Sequence, residues 1–471
     1  YRFIDFLNAS GISIWQICPL GPTGHGDSPY QCFSVFAGNP FFIDMQPLLI
    51  EGLITEEEHS RLTDLPRDHV DYGTLYCEIW PILRLAYDRF KSSKKKQFLD
   101  YGIVDEFRKN HGHWLDDYVL FISLKESFGG KCWLEWPTKF RDAQLAKSTE
   151  LSSSVKNSAN AHVFFQYIFY AQLAKLRAYS RSRGVEIMGD APFFVALDSS
   201  DVWANSELFQ IKKNGQPKAV AGVPPDYFAA EGQLWGNPLY DWAVHEQTGF
   251  TWWIQRIKSN LEFYDILRLD HFRGFESYWS VPATETTARK GTWKPCPGIK
   301  LFKALRKACP EAKLIAEDLG EITEEVKNLR TITGLPGMVV LQFAFGGEAD
   351  NAYLPHNFEP NCVAYSGTHD NDTSIGWYQA LDEKTQDHVR RYLGIAGDAI
   401  AWDLIRVVIK SSSLLAIFPL QDLMSLGSEA RLNTPGAAFG NWQWRFQPRQ
   451  LDQLQSDSST YLREYLSLYG R

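Results

Sequence analysis

The sequence predicts an α/β protein built as a (β/α)8 TIM barrel with large insertions after its strands. Three observations predict it. Short apolar runs alternate with helical segments, the pattern of βαβ units around a parallel sheet. The runs show little period-2 alternation, as expected for strands covered on both faces. Several of them end in an acid, at the end of the strand where barrel enzymes build their sites.

The chain opens on "YRFIDFLNAS", which reads as a helix. Seven strands follow: "ISIWQICPL" from Ile12, "VEIMGD" from Val185, "FYDILRLD" from Phe263, "AKLIAED" from Ala312, "GMVVLQFAF" from Gly337, "CVAYSGTHD" from Cys362 and "LLAIFPLQD" from Leu414. A barrel of this class has eight, so the first strand is expected to be missing from this chain. In "AHVFFQYIFYAQLAKLRAYSRSRG", Phe165, Phe169, Leu173 and Leu176 fall on one helical stripe. Gly184 suits the left-handed stop of that helix.

About 160 residues separate the strands at Ile12 and Val185, far more than an ordinary βα connection needs. Residues 30–160 are therefore expected to form a mostly helical inserted subdomain. A second insertion, 194–251, is expected to cover the site, all within one catalytic unit, 1–471. No internal repeat or low-complexity segment interrupts it.

Composition narrows the function. Of 471 residues, 48 are basic and 56 acidic, a net charge of −8. This mild acidic excess argues against nucleic acid or an anionic membrane as partner. "KSSKKKQ" from Lys91 reads as a solvated helix end. No run of about 18 apolar residues is present, so no spanning helix is expected. Seven scattered cysteines without CxxC spacing fit a reducing cytoplasm. Sixteen tryptophans suit an aromatic core or a sugar-binding cleft, where flat rings stack on pyranose faces.

The strand ends carry the chemistry. Asp190, Asp270, Glu317 and the pair His369-Asp370 fall at corresponding ends of four strands. One such acid alone is an ordinary helix N-cap. Several in one apolar cup are what glycosidic cleavage requires: one carboxyl protonated to assist the leaving oxygen, another ionised to attack C1. Arg268, two residues before Asp270, points to the same side of its strand and is expected to hold Asp270 ionised. Glu317 leaves an apolar strand with no adjacent cation, so desolvation should raise its pKa. Asp190, His271, Glu317, His369 and Asp370 could together ligate a divalent ion, but no HxH pair supports that. "LGPTGHGDSPYQ" lacks the P-loop Lys-Ser/Thr, and no GxSxG elbow is present.

"RLDHFRG", "LIAEDLG" and "YSGTHDNDT" resemble the catalytic motifs of amylomaltases, the 4-α-glucanotransferases related to the α-amylase clan. "PLGPTGHGDSPYQ", "AGNPFFIDM", "MGDAPFFV", "AGVPPDYFAAEGQLWGNPLYDW" and "RLNTPGAAFGNWQWRF" are similar to further motifs of that family, in the same order, from Trp15 to about Phe446. The resemblance implies a retaining double displacement with Asp270 as nucleophile and Glu317 as acid/base. Asp370 would bind the 2- and 3-hydroxyls of the sugar at the cleaved bond. Arg268 would position Asp270, and His369 would hydrogen-bond the same sugar. Tyr30 would stack under it, and Asp190 would support the floor of the subsite. Trp235, His271 and Asp226 would contact substrate, with the loop from Gly222 to Asn237 covering the acceptor side. No cofactor and no metal are implied. The expected partners are maltooligosaccharides, starch- or glycogen-derived α-1,4-glucans, and glucose as acceptor. An α-glucan hydrolase of the same clan and a non-catalytic glucan-binding barrel are the competing readings.

Overall fold

The computed structural model describes residues 1–225, 230–437 and 439–471, and for His25 the backbone alone. Asp226, named above as a substrate contact, lies outside the described residues.

Seven parallel strands form the centre: β1 (Ile14–Gln16), β2 (Glu186–Ala191), β5 (Ile266–Leu269), β8 (Lys313–Ala316), β9 (Gly337–Val340), β10 (Cys362–Tyr365) and β11 (Leu415–Ile417). They are the seven read from the sequence. Hydrogen bonding orders them β1-β2-β5-β8 and β11-β10-β9. The Ala316 N–H donates to Pro336 O at 2.9 Å, joining the two runs. Every one of the seven strands sends a side chain into one apolar cluster: Ile14, Met188, Ile266, Ile315, Met338, Val363 and Leu415 are members. Such convergence is consistent with the packed interior of a TIM-barrel-like fold. Among the described residues β1 and β11 are not paired with each other. A cavity of about 500 Å³ lies between them, lined by Phe3, Trp15, Ile417 and Phe446, and reaches Tyr30, Asp190 and His369 at its upper end.

The opening helix, Arg2–Ala9, packs Ile4, Phe6 and Leu7 with Leu462 and Leu466 of the last helix, Pro448–Leu468. Between β1 and β2 the chain is helical. Tyr72–Ser92, Leu115–Ser127 and Ser153–Ser182 share one apolar core through residues such as Leu83, Phe121 and Phe164. The 30-residue helix Ser153–Ser182 is buried at every position from Ala161 to Tyr170, a wider apolar face than the single stripe anticipated. Gly184 follows it with φ +71°, the left-handed conformation glycine adopts without steric cost.

A second, antiparallel sheet comes from the stretches after β2 and β5. It comprises β3 (Ala219–Val223), β4 (Gln233–Pro238), β6 (Ser277–Pro282) and β7 (Thr292–Pro295), ordered β4-β3-β6-β7. It carries Trp235, Trp279 and Trp293, and Trp235 brings it against His271, two residues after β5.

Candidate active site

Asp190 lies in β2 and Arg268 in β5, and the register pairs the two directly. The strand packs so closely here that a Cβ on Gly189 would stand 2.3 Å from the Tyr264 ring, so only glycine fits before Asp190. Asp190 and Arg268 are 2% and 3% exposed, and the guanidinium grips the carboxylate with two bonds, Nε to Oδ1 at 2.9 Å and Nη2 to Oδ2 at 2.5 Å. Asp270 receives only a longer contact from the same Nη2, 3.3 Å to Oδ1. The expectation that Arg268 would hold Asp270 in its ordinary ionised range therefore needs correction. Burial and the neighbouring Asp190 charge push the Asp270 carboxyl up to about 7, and Arg268 opposes only part of that rise. Bidentate pairing is the stronger geometry, and Asp190 has it.

Glu317 follows β8 directly. Its carboxyl accepts the His271 N–H at 2.7 Å and the Leu319 N–H at 3.2 Å. The residue beside Asp270 thus holds the carboxyl of Glu317. Burial, with the Asp270 charge next, raises the Glu317 pKa well above the usual range despite the backbone donor at His271. Two carboxyls in one cup cannot both ionise cheaply. Arg268 touches Asp270, so that proton leaves first, and the resulting charge helps Glu317 keep its own. One poised anion beside one retained acid is the equipment of retaining glycosyl transfer.

His271 adopts φ +51°, which turns the chain between Asp270 and the helical turn Phe272–Phe275. Burial and the Arg273 charge lower its pKa to about 4, so the imidazole is neutral. Its Nε2 is buried without a partner among the described residues. The Trp235 ring meets it edge-on, with centroids 4.9 Å apart.

On the opposite wall, the Tyr30 hydroxyl donates to Asp190 Oδ2 at 2.6 Å, and its ring stacks on His369 at 5.2 Å. Burial also lowers the His369 pKa. Asp370 is half-exposed; its Oδ1 lies 3.4 Å from His369 Nε2 and accepts the Asn433 amide at 2.6 Å. Arg431 Nη2 donates to the Asp370 carbonyl at 2.9 Å, and the Trp442 ring closes on both Tyr30 and His369. The structure thus gathers Tyr30, Asp190, Trp235, Arg268, Asp270, His271, Glu317, His369 and Asp370 around one cup. Arg431, Asn433 and Trp442 were not singled out from the sequence. Their only signal was the motif "RLNTPGAAFGNWQWRF", to which no residue roles were attached. A thiol nucleophile is disfavoured, because burial pushes Cys18 beside Asp190 up to about 12.

A family model described as 4-alpha-glucanotransferase matches residues 1–452. The chain belongs to the 4-alpha-glucanotransferase family. It is 44% identical to the 4-alpha-glucanotransferase of Thermus thermophilus over 95% of this chain and 90% of that one. The chloroplastic/amyloplastic 4-alpha-glucanotransferase of Arabidopsis thaliana is 42% identical over 100% of this chain and 81% of its own. The amylomaltase from Streptococcus agalactiae in complex with acarbose superposes with a TM-score of 0.93 at 35% identity, covering 100% of this chain and 94% of that one. As a member of the 4-alpha-glucanotransferase family the chain is a transglycosylating enzyme of α-1,4-glucans, and the hydrolase alternative is not favoured.

Proposed function

We propose that the cup cleaves and rejoins α-1,4-glucosidic bonds by double displacement, with Asp270 as nucleophile and Glu317 as acid/base. The Asp270 carboxylate attacks C1 of the donor sugar while Glu317 gives its proton to the departing 4-oxygen. The glycosidic bond breaks, a β-linked glycosyl-Asp270 ester forms, and the shortened glucan leaves. Glu317, now ionised, takes the proton from the 4-hydroxyl of an acceptor, which attacks C1 and restores the α-linkage. Arg268 positions Asp270. Asp190 fixes Arg268 and Tyr30 beneath the sugar. Asp370 accepts hydrogen bonds from the 2- and 3-hydroxyls, and neutral His369 donates to the same ring. The observation that carries this reading is the 2.7 Å hydrogen bond from His271 N–H to Glu317, which holds the acid against the residue next to the nucleophile.

Transfer competes with water at the ester, so the acceptor side must be dry and sugar-shaped. Trp235 against His271 supplies an apolar wall there. The donors are maltooligosaccharides and starch- or glycogen-derived glucans, and the acceptors are glucans or glucose. We read 1–471 as one catalytic unit, with 30–160 an insertion and 194–251 covering the site. Seven free thiols support a cytoplasmic setting.

The test is maltotriose disproportionation. Glucose and a ladder of longer maltooligosaccharides at constant reducing ends is the expected outcome. Rising reducing ends with glucose and maltose would make the enzyme a hydrolase and sink the reading.

A further inference from the structure

Arg273 is 7% exposed, and among the described residues it forms no ion pair. A buried guanidinium without a carboxylate partner is costly and calls for a reason. The carboxylates of Glu321, Glu276 and Glu325 compensate it only at longer range. Its Cζ lies 3.8 Å from the centre of the Trp293 ring on β7, its Nη1 donates to the carbonyl of Glu321, and its Nε is buried without a hydrogen-bond partner among the described residues.

We propose that Arg273 is a positioning residue for the acid/base, tying the turn that carries Glu317 to the turn that carries Asp270. The inference rests on the roles given above to those two carboxyls. Three consecutive residues after Asp270 reach the same turn. The His271 N–H bonds the Glu317 carboxyl, the Phe272 N–H bonds the Glu317 carbonyl at 2.9 Å, and Arg273 bonds the carbonyl four residues further on. The first two hold the start of the turn and the third holds its far end. Between them lies Gly320 at φ +85°, a bend that leaves the far end without a helix or strand to fix it. Trp293 covers the guanidinium on one side while Nη1 reaches the Glu321 carbonyl. Lysine could reach the carbonyl but could not stack in a plane.

A residue that only supports the fold would depress every reaction alike. One that places the acid matters most when the leaving group needs a proton. Maltotriose needs one, because without it the C1–O bond would have to break to a strongly basic alkoxide. In α-maltosyl fluoride the C–F bond breaks with the electron pair on fluoride, which leaves unassisted. Azide added to the assay attacks the glycosyl-enzyme without base help, so fluoride release then reports ester formation alone.

Arg273→Met should lose about 30- to 100-fold in kcat on maltotriose, a share of what a general acid contributes. KM should stay within about threefold, and fluoride release with azide should fall less than about threefold. Arg273→Lys should recover part of the maltotriose rate. Equal losses on both donors, or no loss on either, would overturn the proposal. If Arg273→Met does not fold, Arg273→Lys and Arg273→Gln carry the same two-donor comparison. Wild-type protein inert to both donors would instead count against the site reading itself.

Discussion

The two walls of the cup are built differently. Asp270 and Glu317 follow neighbouring strands: Glu317 is locked by the His271 and Leu319 N–H groups, and Asp270 is met by Arg268 from its own strand. Asp370 is held by side chains from far along the chain, Asn433 at a separation of 63 residues and Arg431 at 61. The first pair is buried and electrostatically strained, while Asp370 keeps a side-chain exposure of 50%. The difference teaches a division of labour. Burial and short-range support, backbone donors at Glu317 and Arg268 at Asp270, belong where bonds are made and broken, and an adjustable polar arm belongs where sugar hydroxyls are read.

Removing either member of the buried pair should cost the most. Asp270→Asn should lower kcat on maltotriose about 10⁴-fold or more while leaving calorimetric binding of maltotriose within about threefold. Glu317→Gln should be nearly as severe on maltotriose but regain most of the lost fluoride release from α-maltosyl fluoride with azide. An Asp270→Asn enzyme with full turnover would remove the nucleophile assignment.

The pH profile of kcat/KM sharpens the same contrast. Asp270 must be ionised, and its carboxyl is pushed up to about 7. Activity should therefore rise through pH ~7 instead of near the ordinary aspartate value of 4. It should fall again only where Glu317, raised by burial and by Asp270, gives up its proton. An acid limb at pH 4 would mean that Arg268 governs Asp270 after all.

A smaller effect is expected on the other wall. Asn433→Ala frees the Asp370 carboxylate from its amide donor. We expect KM to rise and kcat to fall, each by about 3- to 10-fold, in steady-state kinetics with maltotriose. The acid limb should not move, because asparagine carries no charge. A shift of that limb, or a loss as deep as that of Asp270→Asn, would erase the distinction between the walls.

How much of this was legible follows from the same contrast. The seven strands and the acids at their ends were readable, because a covered parallel strand is a short apolar run and its last residue enters the site. Partners across strands were not. Arg268 stands two residues from Asp270 in sequence, so the pair was expected. Its true partner, Asp190, faces it through a β2–β5 register that no local pattern encodes. Asn433, Arg431 and Trp442 reach the site only through the path of the chain after β11. The inverted order of importance at Arg268 and the unread side of Asp370 have one cause: side chains from remote segments meet by tertiary packing alone.

The least conspicuous prediction concerns stability and comes from the strain itself. In the unfolded chain Asp270 ionises near 3.8, whereas in the folded cup it does so near 7. Between those values the folded state holds a proton that the unfolded state has released. Its contribution to stability is full below pH ~4 and is lost as pH rises through 7. Asp270→Asn has no charge to bury. It should raise the melting temperature at pH 8 by about 1–3 °C and give no gain at pH 4, read by calorimetry at both pH values. The Asp190 clamp on Arg268 survives the substitution, so the guanidinium is not orphaned. A fall in melting temperature at pH 8 would show that the Arg268 contact at 3.3 Å outweighs burial, and that Asp270 is held ionised as firmly as Asp190's partner could hold it.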